Sequence, residues 1–128
     1  MLDDVIEESG GQSPSGFLSF EVLKNRSDFL RAARGKRVHS TSFVLQGWNR
    51  HEDDGPLRVG FTCSKKVGNA VARNRAKRRL REIARLGLPQ SGKAGWDYVL
   101  IGRRDVTATT LFASMQDELR KALEKLHP

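Results

Sequence analysis

Apolar residues recur at helical spacing in several parts of the chain. The longest such pattern lies near the carboxyl terminus and comprises Leu111, Met115, Leu119, Ala122 and Leu126. This spacing places the apolar side chains on one face of a helix. It predicts a helix from about Thr107 to Leu126, with Thr107 as its cap. A shorter pattern predicts a helix from Ser27 to about Arg34, whose inward positions are Phe29, Leu30 and Ala33.

Runs of β-forming residues predict three strands. The first spans Ser40 to Trp48 and the second spans Leu57 to Cys63, with a polar loop containing glycine and proline between them. We expect these two strands to pair as an antiparallel hairpin. The third runs from Asp97 to Ile101 and is almost wholly apolar, which is typical of a buried position in a sheet.

Between the second and third strands the pattern predicts a helix from about Asn69 to Leu86, ended by the breaker-rich loop 87–92. At 3.6 residues per turn this helix has two faces. The apolar face comprises Ala72, Ala76, Leu80 and Ile83, and we expect it to pack on the sheet. The opposite face comprises Asn74, Lys77, Arg78, Arg81 and Arg85, with Arg75 and Arg79 along one flank and Arg73 beside the apolar edge.

With one strand added to these three, the elements predict an α/β (α+β) fold in the order α-β-β-β-α-β-α. We expect a two-layer sandwich in which a small mixed sheet of about four strands has helices on one face. A length of 128 residues suits one domain. Residues 1–20 are acidic and rich in glycine and serine, so they are predicted to be a flexible extension, and residues 21–128 to be the single domain.

The net charge of +8 is concentrated in one segment. The window Lys65 to Arg85 has nine basic residues and one acidic residue, Glu82, while the rest of the chain is neutral in sum. A charged run is often only a solvated face, but an excess confined to one stretch favours binding of a polyanion. Six of the nine are arginines, whose planar guanidinium can bind phosphate oxygens and stack on bases. Asn74 can both donate to and accept from a base edge or a ribose hydroxyl.

Several features bear on the compartment. The chain has one cysteine, Cys63, so no internal disulfide can form. The amino terminus is acidic and lacks the features of a secretory signal peptide. No apolar stretch approaches the roughly 20 residues that span a bilayer. We therefore expect a cytoplasmic protein with no membrane partner.

Three functional classes are compatible with this sequence: a subunit that binds a specific RNA, a general RNA-binding or ribosome-associated module, and a protein-only nuclease. A nuclease would need clustered carboxylates or histidines, or a nucleophile beside a base. The acidic run 52–54 beside His51 is more typical of a solvated turn, and the three histidines lack zinc spacing. We therefore predict no catalytic residue and no metal site in the protein.

The stretch from Gly60 to Glu82 closely resembles the signature of the bacterial ribonuclease P protein; it reads GFTCSKKVGNAVARNRAKRRLRE. A looser resemblance covers all but about the first 20 residues. It implies a small α/β protein with a left-handed crossover, which binds a large catalytic RNA and the 5′ leader of precursor tRNA. It also implies that this RNA hydrolyses the phosphodiester bond with Mg²⁺ in its own active site. The protein would then be an accessory subunit, inactive alone, with no cofactor and no small-molecule substrate.

The resemblance also implies particular contact residues. Those expected to bind the RNA subunit are Lys65, Lys66, Asn69, Arg73, Asn74, Arg75, Lys77, Arg78 and Arg81. Phe29 and Phe43 are expected to line the cleft for the leader. Many family members have aromatic residues where this chain has Ala33 and Gln46. Because stacking of a base on an aromatic ring contributes about 1–3 kcal/mol, we expect weaker or rearranged stacking here.

Overall fold

The computed structural model of the protein describes residues 20–52 and 55–128. The strands are Phe20–Val22 (β1), Lys36–His39 (β2), Phe43–Asn49 (β3), Leu57–Thr62 (β4) and Trp96–Gly102 (β5). The helices are Arg26–Ala33 (α1), Ala70–Ser91 (α2), Val106–Thr109 (α3) and Phe112–Leu126 (α4). The mixed α+β class is confirmed. The predicted extension 1–20 lies outside the described residues except for Phe20, which already belongs to β1.

The strands form one five-stranded sheet in the order β1-β4-β5-β3-β2, one strand more than predicted. β5 pairs antiparallel with β3 and parallel with β4. The predicted hairpin between β3 and β4 is therefore wrong, and the hairpin in the sheet joins β2 to β3. The physical reason lies in β5, which is apolar on both sides and is buried best between two neighbouring strands. Its predicted position inside the sheet is confirmed.

Side chains of each strand alternate between two faces that are closed differently. We call the face covered by α2 and α4 the closed face; its core includes Leu45, Val59 and Leu100. We call the face that carries α1 the open face; its cluster of buried residues comprises Leu23, Ala32 and Val99. Helices therefore lie on both faces, and the expectation of helices on one face is wrong.

α2 follows the predicted apolar stripe but runs further. Asn69 caps it, since its side-chain oxygen accepts a hydrogen bond of 2.9 Å from the backbone N–H of Ala72. Ala76, Leu80 and Ile83 are buried, as predicted. The helix was predicted to end near Leu86, yet it continues through 87–91. Packing overrides the breakers there, because Leu88 is buried and the glycine at 87 lets α4 approach closely.

The predicted helix from Thr107 to Leu126 is divided into α3 and α4. Thr107 caps neither of them. Its hydroxyl is buried, donates to the carbonyl of Ser42 at 2.5 Å and accepts from the backbone N–H of Arg103 at 2.7 Å. Thr107 thus joins the start of β3 to the end of β5, and the break between the helices falls at Thr110 and Leu111.

α1 is held on the open face by an ion network as well as by apolar contacts. Asp97 is fully buried and accepts from Arg50 at 2.6 Å and from Arg58 at 2.7 Å. Arg58 also reaches Asp28 of α1 at 3.3 Å, and the bonds to Asp97 raise the pKa of its guanidinium. The inward residues of α1 are consequently Asp28 and Ala32. The predicted inward positions Leu30 and Ala33 are exposed.

Candidate nucleic-acid interface

α2 presents a row of polar and basic side chains to solvent. Because its inner stripe is fixed to the closed face, the residues opposite that stripe face outward. The predicted contact residues that are exposed, which we call the basic surface, are Lys65, Lys66, Asn69, Asn74, Arg75 and Arg78. They lie on the first half of α2 and on the turn that precedes it. The structure thus brings six of the nine predicted residues into one continuous surface.

The basic surface is not neutralised by neighbouring acids. Glu82 pairs with Arg85, and the hydrogen bond from that guanidinium lowers the pKa of the Glu82 carboxyl. Within the described ranges, Lys65, Lys66, Arg75 and Arg78 form no ion pair with a carboxylate. Like charges three or four residues apart on a helix repel each other. An anionic ligand would relieve that repulsion.

Two of the remaining three predicted residues are partly covered, and one is buried. Lys77 is only 2% exposed, so its assignment as an RNA contact is wrong. It falls on the same stripe as Leu80, Ala84 and Leu88, at i, i+3, i+7 and i+11, and this stripe packs inward. Arg81 is half-buried. Arg73 is half-buried too, and its guanidinium donates to the carbonyl of Gly68 at 3.0 Å.

Arg79, on the flank of α2, has a structural role. Its guanidinium donates to the carbonyls of Thr107 at 2.8 Å and Thr110 at 2.5 Å. These bonds attach α2 to α3 and to the segment that leads into α4. The run of arginines in the sequence therefore contains both exposed residues and an anchor.

The turn before α2 is fixed by two side-chain caps. Ser64 caps a short 3-10 turn at Lys65–Val67, and Asn69 then caps α2 itself. Gly68 lies between them with φ of 143°, a conformation that L side chains rarely adopt. The turn therefore places Lys65 and Lys66 beside the amino terminus of α2, where the helix dipole also favours an anion.

A cleft lies on the open face beside α1. Its floor is a row of half-buried side chains on adjacent strands, Thr62, Ile101 and Val44. Phe29 of α1 forms one wall and packs over Gly60, where an added Cβ would lie 2.5 Å from its ring. The structure places Phe29 on the open face, and its part in binding the leader stays a prediction.

Phe43 does not belong to this cleft. It is fully buried in the core of the closed face, on the other side of the sheet from Phe29. Side chains alternate along β3, so Phe43 shares a face with Leu45, while Val44, Gln46 and Trp48 face α1. The alternation with the core residue Leu45 is the signal that could have corrected this prediction. Ala33 is exposed and Gln46 is nearly buried, so neither offers a ring to a base.

A basic groove that the sequence did not reveal lies beside the turn before α2. It is lined by Thr41, Ser64, Lys66, Val67, Gly102, Arg103, Arg104 and Val106. The guanidinium of Arg103 lies 3.2 Å from Nδ1 of His39. The Nε atom of Arg103 is buried, and no hydrogen-bond partner for it exists among residues 20–52 and 55–128. A buried donor without a partner is costly, and a phosphate oxygen could accept from it.

Two negative findings concern the described residues alone. The described residues include no group of three or more histidine, cysteine or acidic side chains that could hold a metal ion. Asp53 and Asp54 of the acidic loop lie outside them. No helix among them is long and apolar enough to cross a bilayer.

Comparisons with known proteins agree with this geometry. The family model described as Ribonuclease P matches residues 17–127. The ribonuclease P protein component of Ruegeria pomeroyi is 61% identical over 107 residues, covering 83% of this chain and 86% of that protein. The component of Caulobacter vibrioides is 47% identical over 109 residues, covering 85% and 72%.

Solved structures of RNase P proteins are also similar to this chain. The RNase P protein of Staphylococcus aureus is similar with a TM-score of 0.67 and 32% identity, covering 83% of this chain and 94% of that one. The protein from Thermotoga maritima has a TM-score of 0.64 and 27% identity, covering 80% and 94%. Sequence and structure together show that the chain belongs to the ribonuclease P protein family.

Proposed function

We propose that this ribonuclease P protein binds the RNA subunit through its basic surface and the 5′ leader of precursor tRNA through the cleft on the open face. The observation that carries the proposal is the basic surface itself. Exposed arginines and lysines without carboxylate partners, beside a helix amino terminus, suit phosphate groups. Asn74 adds a group that can recognise a base edge or a ribose hydroxyl.

The groove supports a path for the leader. Lys66 belongs both to the basic surface and to the groove, and Arg103, which also lines the groove, follows Ile101 of β5 by two residues. A single strand that enters near Lys66 would pass Arg103 and then lie over Ile101 and Val44, beside Phe29. Cations would contact the phosphates at the entrance, and the apolar floor would contact the bases.

In this proposal the RNA subunit performs the hydrolysis, with Mg²⁺ in its own active site, and the protein is inactive alone. The protein neutralises phosphates and positions the leader. A cytoplasmic location accords with this role. Each phosphate contact should contribute about −0.7 to −0.9 to the slope of log affinity against log salt.

The deciding experiment is reconstitution. Purified protein, transcribed ribonuclease P RNA and precursor tRNA are combined singly and together at low magnesium, and release of the leader is measured. We expect cleavage to be fast only with both components. Cleavage by the protein alone would contradict the division of labour, and no effect of the protein on the RNA would contradict the whole proposal.

A variant experiment tests the basic surface. Arg75→Gln with Arg78→Gln removes two exposed charges, and we expect the affinity for the RNA subunit to fall by about tenfold and its salt slope to decrease. The matched control is Lys121→Gln with Lys125→Gln, which removes the same charge from exposed positions of α4. Equal affinities for the two variants would refute the assignment of this surface.

A further inference from the structure

A second group of cations lies on α1 and β2, away from the basic surface. Residues 24–39 contain six basic side chains and one acidic side chain. The single acid, Asp28, is buried and already pairs with Arg31 and Arg58. The segment therefore carries a net charge of +5 (6 − 1). The net charge of the whole chain does not reveal the positive charge of residues 24–39, because acidic residues elsewhere offset it.

Two of these cations stand at the edge of the open face. β2 is an edge strand, and Arg37 lies opposite Gln46 in the register with β3, so it shares the face of α1. Arg34 directly follows α1 and is its C-cap. Both are exposed, and neither forms an ion pair with any residue in the described part of the chain. Lys36 differs, because its ammonium donates to the carbonyl of Leu126 on the closed face at 3.2 Å.

The edge is continuous with the cleft. The row of floor residues Thr62, Ile101 and Val44 ends at His39 of β2, and the next row ends at Arg37. From β4 to β2 the distance across the sheet is three strand spacings, roughly 14 Å. A single strand that lies on the floor thus leaves the protein over β2, beside Arg37 and Arg34.

The residues that line the cleft near β2 favour phosphate binding by these cations. Ala33 and Gln46 provide no aromatic ring between Phe29 and the edge strand, and Trp48, the aromatic residue on this face of β3, is half-buried against the cluster of Leu23, Ala32 and Val99. We therefore expect little stacking there. A guanidinium can instead pair with a phosphate whatever the base, and it can bind two oxygens at once.

We infer that Arg34 and Arg37 form an exit site that binds phosphates of the leader upstream of the cleft. This inference rests on the proposed function of the cleft. Leader binding by this chain depends there on phosphate contacts instead of stacking. It is accordingly sensitive to salt and insensitive to the leader's base sequence at those positions.

The test compares leader lengths in the reconstituted holoenzyme. Precursor tRNAs carry either a stub leader that ends within the cleft or a long leader that crosses β2, and their affinities are measured over a range of salt. For Arg34→Gln with Arg37→Gln we expect about a three- to tenfold loss of affinity for the long leader. The salt slope should decrease by roughly 0.7 for each phosphate that the variant no longer neutralises.

Controls separate this site from its neighbours. The same double variant should bind the stub-leader precursor and the RNA subunit as the wild type does, and its thermal unfolding should be unchanged. Lys121→Gln with Lys125→Gln, on the closed face, should leave both leader lengths unaffected. Arg34→Lys with Arg37→Lys keeps the charge and should retain much of the affinity for the long leader.

The outcomes distinguish this site from the proposed function. If the wild type prefers the long leader and the double glutamine variant keeps that preference, the exit site is refuted and the cleft remains. If that variant loses affinity for the RNA subunit instead, the two arginines contact that RNA and the inference is wrong. If the wild type binds both leaders equally, contacts beyond the cleft contribute nothing and the exit site is refuted, while the cleft remains, because both leaders occupy it.

Discussion

The two faces of the sheet are closed by different kinds of interaction. The closed face buries a cluster of nineteen residues beneath α2 and α4. The open face buries a cluster of three, against which Phe29 of α1 packs, and Asp28 of α1 joins the ion pair of Arg58 and Asp97. Apolar packing seals a surface completely, whereas an ion network can hold a helix at one end and leave the neighbouring strands uncovered. The first arrangement gives stability and the second gives a place for a ligand.

The largest expected effect comes from removing the centre of the ion network. Asp97→Ala leaves Arg50 and Arg58 without their buried partner, and we expect a loss of about 3–5 kcal/mol in the free energy of unfolding. Urea denaturation measures it. Asp117→Ala, which removes an exposed partner of Arg120, should leave stability unchanged. A loss for Asp97→Ala no greater than for the control would mean that apolar contacts alone hold α1.

A smaller effect is expected at the wall of the cleft. Gly60→Ala places a methyl group where the ring of Phe29 lies, and overpacking of this kind costs about 1–3 kcal/mol. It should also displace α1 and weaken leader binding without changing affinity for the RNA subunit. Adding Phe29→Leu should recover part of the stability, as a double-mutant cycle would show. Additive losses would mean that the two residues do not press on each other.

Arg78 and Arg79 allow an exposed arginine and an anchoring arginine of α2 to be compared directly. Arg79→Met removes two hydrogen bonds to carbonyls of the α3 segment, and we expect about 1–2 kcal/mol of lost stability. Arg78→Met removes an exposed charge, so stability should stay constant while affinity for the RNA subunit falls. The same substitution at adjacent positions is its own control. An equal stability loss at both would contradict the anchoring role of Arg79.

The smallest effect concerns pH. Burial beside Tyr98 lowers the pKa of His127 to about 4 from its usual 6.5, with a contribution from Lys93 and Lys36. Since protonation favours the unfolded state, this group's contribution is present above pH 6.5 and is lost as the pH falls toward 4. Solvent screens the half-buried ring, so the effect should be smaller than those above. His127→Gln should flatten this part of the stability curve and match the wild type's pH dependence above about pH 7.

Local patterns predicted what depends on local geometry. The apolar stripe of α2 and the buried position of β5 both follow from spacing and composition. The basic surface could be predicted because its residues are close in sequence and share one helix face. Phe29 was assigned to the leader cleft by resemblance, and the structure places its ring over Gly60.

The remainder depends on partners distant in the chain. The separation of β3 from β4 is decided by β5, which follows much later in the sequence. Lys77 lies at the border of the buried arc, where a small rotation of the helix decides exposure. Arg103 belongs to no sequence motif that would mark it as a binding residue. Its place at the groove arises from the end of β5 and from the hydroxyl of Thr107, neither of which a local pattern encodes.

The separation of the two binding surfaces by the sheet has a consequence for turnover. In the proposed arrangement the RNA subunit contacts α2, while the cut leader leaves from the opposite side, so product can dissociate without detaching the protein. The protein would then serve as a resident part of the particle through many rounds of processing. We expect the lifetime of the protein on the RNA to exceed the lifetime of the leader on the protein by a wide margin.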